Sequence, residues 1–440
     1  MKLRVRRVLQ KFVAGSLCAL LVVACGTKPP ARTALYGNLA ELKRDIKSAQ
    51  QAELLDHDAV TKLARAVAER ELSSAEGTSG VIRVRSLLRC AGPLRTAMER
   101  RAARTDDDIS AEVTLILLEM HAAQKTELLH RYARSERGAW RAVAARAAER
   151  PIDTDMRKAF FVDPDERVRR AAFRTALAVH DARELEALLD AARVDPDPHS
   201  QSSAIVAAGS VGGERAVLAL KDLWAQADDL TRIAIVDAWS QHASFVSGGA
   251  RELTLAAETD VGLAAVSAAY ALSRAGGAEA AFANARLLRY IADGSEDQKR
   301  LALNVAPMNP ETEATIAKAA KEAGPELGVV ALTRLTSVEA RRNDAIRALR
   351  EIANAKASSE SELRAQSDAL SALAVAGDTS IRPTLVKNLS DPAVEQRSRA
   401  ARGLTNLGDY RNAATALADD DADLRSEIAC SVLAREATRH

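Results

Sequence analysis

The sequence predicts an all-α chain, built as a right-handed α-solenoid of stacked antiparallel helix pairs. Three observations point there. Hydrophobic residues make up 47% and aromatics only 3%, so alanine and leucine supply the apolar content and strand formers are scarce. Small-residue centres recur at Ala172, Ala204, Ala234, Ala265, Ala302, Ala331, Ala369, Ala400 and Ala429, at intervals of 29 to 38 positions. Spread of that size is what loop insertions in a helical repeat produce. Asp-Pro pairs punctuate the chain at Asp163, Asp195 and Asp391.

The order of elements follows from periodicity and breakers. Leu35, Leu39, Leu42 and Ile46 form one stripe, which predicts a helix over 34–50. A second is expected over 58–72, and 73–80 (SSAEGTSG) reads as a linker. Further helices are expected over 81–103, 109–135 and 138–150, with Pro151 closing an N-terminal helical region, residues 34–150. The repeat array proper is placed at 151–440. Its register is legible from Asp163, where Val168, Ala171, Ala172 and Leu177 give the first helix a small-residue core. Each Asp-Pro pair is expected to place an N-cap aspartate before a proline at the first helical position. Gly212-Gly213, Gly248-Gly249 and Gly276-Gly277 fall between helices, where positive φ is often needed. The unit from Asp419 onward is expected to be a polar C-terminal cap.

Val168-Arg169-Arg170-Ala171-Ala172 after Asp163-Pro164-Asp165, and Arg397-Ser398-Arg399-Ala400-Ala401 after Asp391-Pro392, resemble bacterial HEAT repeats. They are similar to the units called PBS-lyase HEAT-like repeats. The resemblance implies a binding scaffold and lends no catalytic residue.

The amino terminus has its own pattern. Lys2, Arg4, Arg6, Arg7 and Lys11 precede an uncharged apolar run over 12–24, the order of a secretory signal. Leu21-Val22-Val23-Ala24-Cys25-Gly26 resembles the lipobox of bacterial lipoproteins. That resemblance implies a signal peptide over 1–24, cleavage before Cys25, acylation of Cys25 and a short tether over 25–33. Two or three acyl chains, at about 0.8 kcal/mol per buried methylene, would anchor the chain durably. Gly26 in place of aspartate implies the outer membrane, facing the periplasm. Without the signal, 57 basic residues remain against 60 acidic ones, since 5 of the 62 lie in it. A chain so balanced lacks the basic surface that a general nucleic-acid binder needs. Cys90 and Cys430 are the cysteines left over, 340 positions apart. In an extended array they are expected to lie far from each other, as buried small residues and unbonded.

The residues offer little chemistry. None of the seven histidines forms an HExxH pair, and no Cys-x-x-Cys occurs. In Asp56-His57-Asp58 the simplest role is a helix cap by Asp58. Asp419-Asp420-Asp421-Ala422-Asp423 lacks the spaced ligands and glycine of a calcium loop and reads as a solvated capping run. No catalytic residue, metal or cofactor is expected. Trp224 and Tyr290 are large aromatics in an alanine core, on what should be second helices of their pairs. With Arg289 they are candidate partner-binding residues if exposed; the competing reading makes the aromatics gap-fillers between layers. The expected function is therefore a lipid-anchored envelope scaffold that binds a protein partner, non-catalytic and without nucleic acid. The alternative is a HEAT-like enzyme or a chromophore-handling subunit related to phycobilin lyases.

Overall fold

The structure is a computed structural model that describes residues 29–120 and 125–437. The signal, the lipobox and Cys25 lie outside the described residues, as do His121 and His440. Among the described residues there are helices and turns but no strand, and no helix is long and apolar enough to cross a membrane. The all-α solenoid of stacked helix pairs is the observed architecture. The described chain forms two compact units: residues 102–378, and residues 29–101 together with 379–437. Their boundaries do not fall at the expected division near Pro151.

In the unit 102–378, first helices pack on first helices. Gly138–Ala147, Glu166–Val179, Pro198–Val211, Asp229–Ser240 and Leu263–Ala275 follow one another in this way. The series continues through Glu296–Val305 and Pro325–Leu335 to Glu360–Val375. The predicted centres Ala172, Ala204, Ala234, Ala265, Ala302, Ala331 and Ala369 are all buried. The small side chains let these helices approach closely. At Gly209 an added Cβ would stand 2.4 Å from the Ala238 carbonyl oxygen. Leu177 is only half-buried. Second helices fold back through tight turns, and the pairs Gly212-Gly213 and Gly276-Gly277 take φ of 77°, 83°, 75° and 73°. Side chains rarely adopt such angles, hence glycine.

The Asp-Pro turns work differently from the expectation. The N-caps are Asp165 and Asp197, whose side chains accept from Arg167 N and Ser200 N. Asp163 and Asp195 sit two residues earlier and accept the backbone N–H of Asp165 and Asp197. Asp391 likewise accepts from Ala393 N, and Ala393 is the cap position there. The reason lies in a second acceptor duty. Arg169 donates backward to the Asp163 and Pro164 carbonyls and forward to the Asp195 carboxylate, at 2.8–2.9 Å for the carboxylate. Arg141 does the same with the Ser135 and Glu136 carbonyls and Asp163. Each arginine thus ties its own turn to the next one. The forward bonds are charge-assisted and two-pronged, the strong kind.

One buried ion pair adds to this. Arg157 and Glu184 are fully buried, with Nε donating to Glu184 at 2.7 Å and Nη1 to the Ala148 and Arg150 carbonyls. Burial pushes the Glu184 carboxyl above the ordinary range, against the pull of Arg157.

The other unit joins the two ends of the described chain. Its first part is Pro30–Tyr36, Leu39–Gln51, His57–Ser73, Gly77–Ser86, the 3₁₀ turn Leu87–Cys90 and the start of Ala91–Arg104. The single helix expected over 34–50 is broken at Gly37, where Asn38 and Glu41 form a capping box. The expected tether is helical from Pro30, and the expected linker shrinks because Gly77 already opens a helix. Asp56 caps His57–Ser73 in place of Asp58. The second part includes Arg382–Asn388, Val394–Asn406 and Ala422–Ala437.

Ala422–Ala437 is not a polar cap. Leu424, Ile428, Ala429, Cys430, Val432 and Leu433 are buried, and the helix packs along His57–Ser73 and the 3₁₀ turn. Arg425 stands at the same offset from Asp419 as Arg169 from Asp163. It donates backward to the Asp419 and Asp420 carbonyls, and its forward acceptor is Glu71, at 2.7 Å. The last rung of the ladder is therefore supplied by an early helix. Asp419 itself is no solvated acid: burial raises its carboxyl, but Arg397 outweighs that and holds it low.

Cys90 and Cys430 are bonded as a disulfide, with Cα atoms 5.3 Å apart. The expectation of two separate thiols is overturned because these parts of the chain lie in one unit.

Candidate docking groove

Cys430 of the disulfide lies in the floor of a groove in this unit. The floor is one face of Ala422–Ala437: Leu424, Glu427, Cys430, Ser431 and Ala434 recur at helical spacing. One wall comes from Val394–Asn406, through Val394, Ser398 and Arg402. The opposite wall comes from 82–89, through Ile82, Arg85, Leu88 and Arg89. The groove encloses about 1110 Å³. Ile82, Leu88 and Val394 are 59%, 49% and 40% exposed, which is unusual for aliphatic side chains grouped in a concave place.

Its charges are graded from end to end. At the start of the floor helix lie Asp421 and Asp423, and Arg83 pairs with Asp423 at 2.9 Å and with buried Glu71 at 3.5 Å. Midway, Glu427 accepts from Ser398 at 2.8 Å and meets Arg402 at 3.2 Å. At the far end Arg435 donates to the Thr405 carbonyl, and Arg89 is exposed beside the disulfide. Among the described residues that line the groove are five arginines and three carboxylates. Such a surface can hold a segment by apolar contact and charge-assisted bonds.

A smaller groove lies in the unit 102–378, about 300 Å³ between first helices, with Phe173, Leu177, Val206, Leu230 and Ile233 around Asp237. Burial pushes the Asp237 carboxyl up.

The residues singled out from sequence fall elsewhere. Trp224 and Tyr290 are on second helices, Gly213–Trp224 and Ala278–Asp293. Tyr290 is buried and its hydroxyl donates to the Ala257 carbonyl at 2.9 Å, so it fills a gap between layers. Trp224 is half-buried, stacks on Trp239 at 5.2 Å and carries Arg232 over its ring. Arg289 is exposed on the same helix as Tyr290. No geometry brings the three together. His57 pairs with Glu436 and meets the Tyr410 ring edge-on at 4.7 Å. The groove residues Ile82, Arg85, Leu88, Arg89 and Arg402 were missed. The available signal was the even pair of cysteines in a chain with an export pattern.

Stacked pairs with a turn-to-turn arginine ladder now invite comparison with known repeats. Residues 154–240 are similar to HEAT repeats. That match covers the helix pairs bracketing Asp163 and Asp195. No curated protein matches the sequence. Among solved structures, Kap121p aligns at 13% identity over 88% of this chain and 49% of its own, with a TM-score of 0.35. Kap121p bound to Nup53p aligns at 13% over 89% and 49%, with a TM-score of 0.32. The UNC-45 chaperone, which binds and folds muscle myosin, aligns at 15% over 93% and 60%, with a TM-score of 0.23. The chain spans about half the length of the Kap121p structures it matches.

Proposed function

We propose that this chain is a lipid-anchored scaffold of the bacterial cell envelope that binds a protein partner through the surface of its helical repeats, without catalysis. The groove over Ala422–Ala437 is the observation that carries it. It offers exposed aliphatic side chains and arginines in one concavity. HEAT-type repeats expose long helical faces of this kind. The anchor rests on Cys25 in its lipobox context. The Cys90–Cys430 disulfide supports an oxidising compartment, as an exported protein would meet. The outer membrane, facing the periplasm, is the proposed address, from Gly26 after the acylated cysteine.

Fractionation tests the anchor. The native chain should sediment with membranes and leave them only in detergent, and Cys25→Ser should appear in the soluble fraction. A Cys25→Ser chain that stays with the membranes sinks the anchor. Detergent-solubilised envelopes passed over the immobilised chain should yield a stoichiometric partner. Repeated failure to recover one would refute the scaffold.

A further inference from the structure

We propose that the smaller groove, a trough over Pro198–Val211 in the unit 102–378, seats an α-helix of the partner protein. That helix carries an aliphatic stripe, with an acidic residue on the side toward Arg174 and a basic residue on the side toward Asp237. This rests on reading the chain as a protein-binding scaffold, and adds a second surface and the chemistry it selects.

The shape comes from side-chain size. Glu166–Val179 and Asp229–Ser240 each pack on Pro198–Val211. At about 8–10 Å per contact, the outer two helices stand about 16–20 Å apart. The middle helix presents Ser202, Ser203 and Val206 to the trough. Arg174 and Leu177 stand on one wall, Leu230 and Ile233 on the other. Small residues between larger ones leave room above the middle helix for one more, about 10 Å across. Leu230 is 44% exposed, and Leu177, Val206 and Ile233 are half-buried, so the trough keeps apolar area in water.

The hydrogen bonds of the floor select a helix over an extended segment. The Ser202 and Ser203 hydroxyls donate to the Pro198 and His199 carbonyls, both at 2.8 Å. The backbone of walls and floor is engaged in its own helices. An extended segment would bury backbone N–H and carbonyl groups there without partners, whereas a helix satisfies its own.

Charge sets the orientation. Arg174 and Asp237 are exposed on opposite walls, and among the described residues neither side chain is held in an ion pair. Arg170, one turn before Arg174, is occupied by Glu166 and Asp197. Desolvation alone raises the Asp237 carboxyl, with no cation of this chain countering it. A basic residue of the partner supplies that cation, and an acidic one meets Arg174. An anionic membrane is a poorer fit: it would meet Asp237 as well as Arg174, and its plane would leave the floor uncovered.

A photocrosslinker decides the matter in the full-length chain in its own cells. p-Benzoylphenylalanine replaces Ser203 on the floor of the trough or, as comparison, exposed Leu88 in the groove of the other unit. The expected result is an adduct at Ser203 to a proline-free segment of another protein, with aliphatic residues at helical spacing flanked by acid and base. Its yield should fall about tenfold with Arg174→Glu and with Asp237→Lys, the equivalent of about 1.4 kcal/mol, and persist with Arg174→Lys. An adduct at Ser203 to lipid, to nucleic acid or to a second copy of this chain overturns the proposal. So does a protein adduct indifferent to both charge reversals, or one to a segment that cannot form a helix. Adducts at Leu88 with none at Ser203 overturn the trough but leave the scaffold standing. Adducts at neither position overturn both.

Discussion

Each of the two units is held together internally by its own means. In the unit 102–378 the arginine ties run between neighbours in sequence: Arg141 reaches Asp163, Arg169 reaches Asp195 and Arg232 reaches Asp260. Every such tie is local in the chain, and nearest neighbours suffice. In the other unit the ties are as long as the chain allows. Arg425 reaches Glu71, Lys43 reaches Asp420 and Cys90 bonds Cys430. A repeat array has a problem at its last layer, where an apolar face lacks a neighbour. One usual solution is a polar cap. Here the last helix keeps its apolar face and borrows the first helices to cover it. The local unit gains stability one step at a time, whereas the long-range unit closes only when both ends are in place.

The largest expected effect lies in the local unit. Arg157→Ala removes a guanidinium that is wholly buried and strands the Glu184 carboxyl in the same place. Breaking a buried pair from one side costs about 3–5 kcal/mol. Urea unfolding of the variant should show the loss, and Arg157→Met with Glu184→Leu should recover most of it. A loss under about 1 kcal/mol would mean that Ala148 and Arg150 carbonyls find other donors cheaply.

Next in size is the tie that spans the chain. Cys430→Ser should cost about 2–4 kcal/mol, and the cost should be confined. Hydrogen exchange should rise in His57–Ser73 and Ala422–Ala437 while Pro198–Val211 keeps its protection. Equal loss in both would show that the units do not unfold separately. A reductant added to the native protein should reproduce the pattern.

How much of this was legible beforehand follows the same division. The buried centres from Ala172 to Ala429 were readable because helical periodicity and turn residues are local signals. The caps were misplaced by two positions, since Asp163-Pro164-Asp165 offers two acidic acceptors and only the distant Arg141 decides which is occupied. The aromatic at Tyr290 could be seen, but not that its hydroxyl reaches the Ala257 carbonyl of the preceding pair. The groove was invisible because its walls are 82–89 and 394–406, which no window of sequence contains together. The paired cysteines alone linked them, and an extended array argued against that link.

Close helix packing supplies a third test of the local unit. Gly209→Ala puts a methyl group 2.4–2.5 Å from Ala238 backbone and side-chain atoms, which must move. Overpacking of this kind costs about 1–3 kcal/mol. Thermal unfolding should register it, while Gly324→Ala, where nothing lies within 4 Å of the added carbon, should be close to neutral.

Acid acts more gently and again favours one unit. Hydrogen bonds from Arg183 and Arg167 hold the Asp181 and Asp165 carboxyls below the ordinary range. A carboxyl depressed in the folded state contributes stability above its unfolded pKa of about 3.9, and that contribution fades as pH falls through the folded value. Glu184 has the opposite sign, because its carboxyl is raised, so it offsets part of the loss. Asparagine at Asp181 should flatten the acid limb of the stability profile, measured by urea midpoints at pH 2 to 5. An unchanged limb would assign acid sensitivity to other carboxylates.

The smallest effect tests whether every long-range tie matters. Lys43 meets Asp420 at 2.7 Å, but the side chains are 44% and 80% exposed. Water and salt screen such a pair, and ordering the lysine offsets its gain, so Lys43→Ala should cost about 0–1 kcal/mol. Arg425→Ala is the instructive partner, because Glu71 is buried and would keep only Arg83. If Lys43→Ala proved as costly as Arg425→Ala, the junction would depend on bringing the ends together by charge at any exposure. If it is near zero while Arg425→Ala is not, the closure rests on the buried rung, the covered apolar face and the disulfide, and the exposed pair is incidental to it.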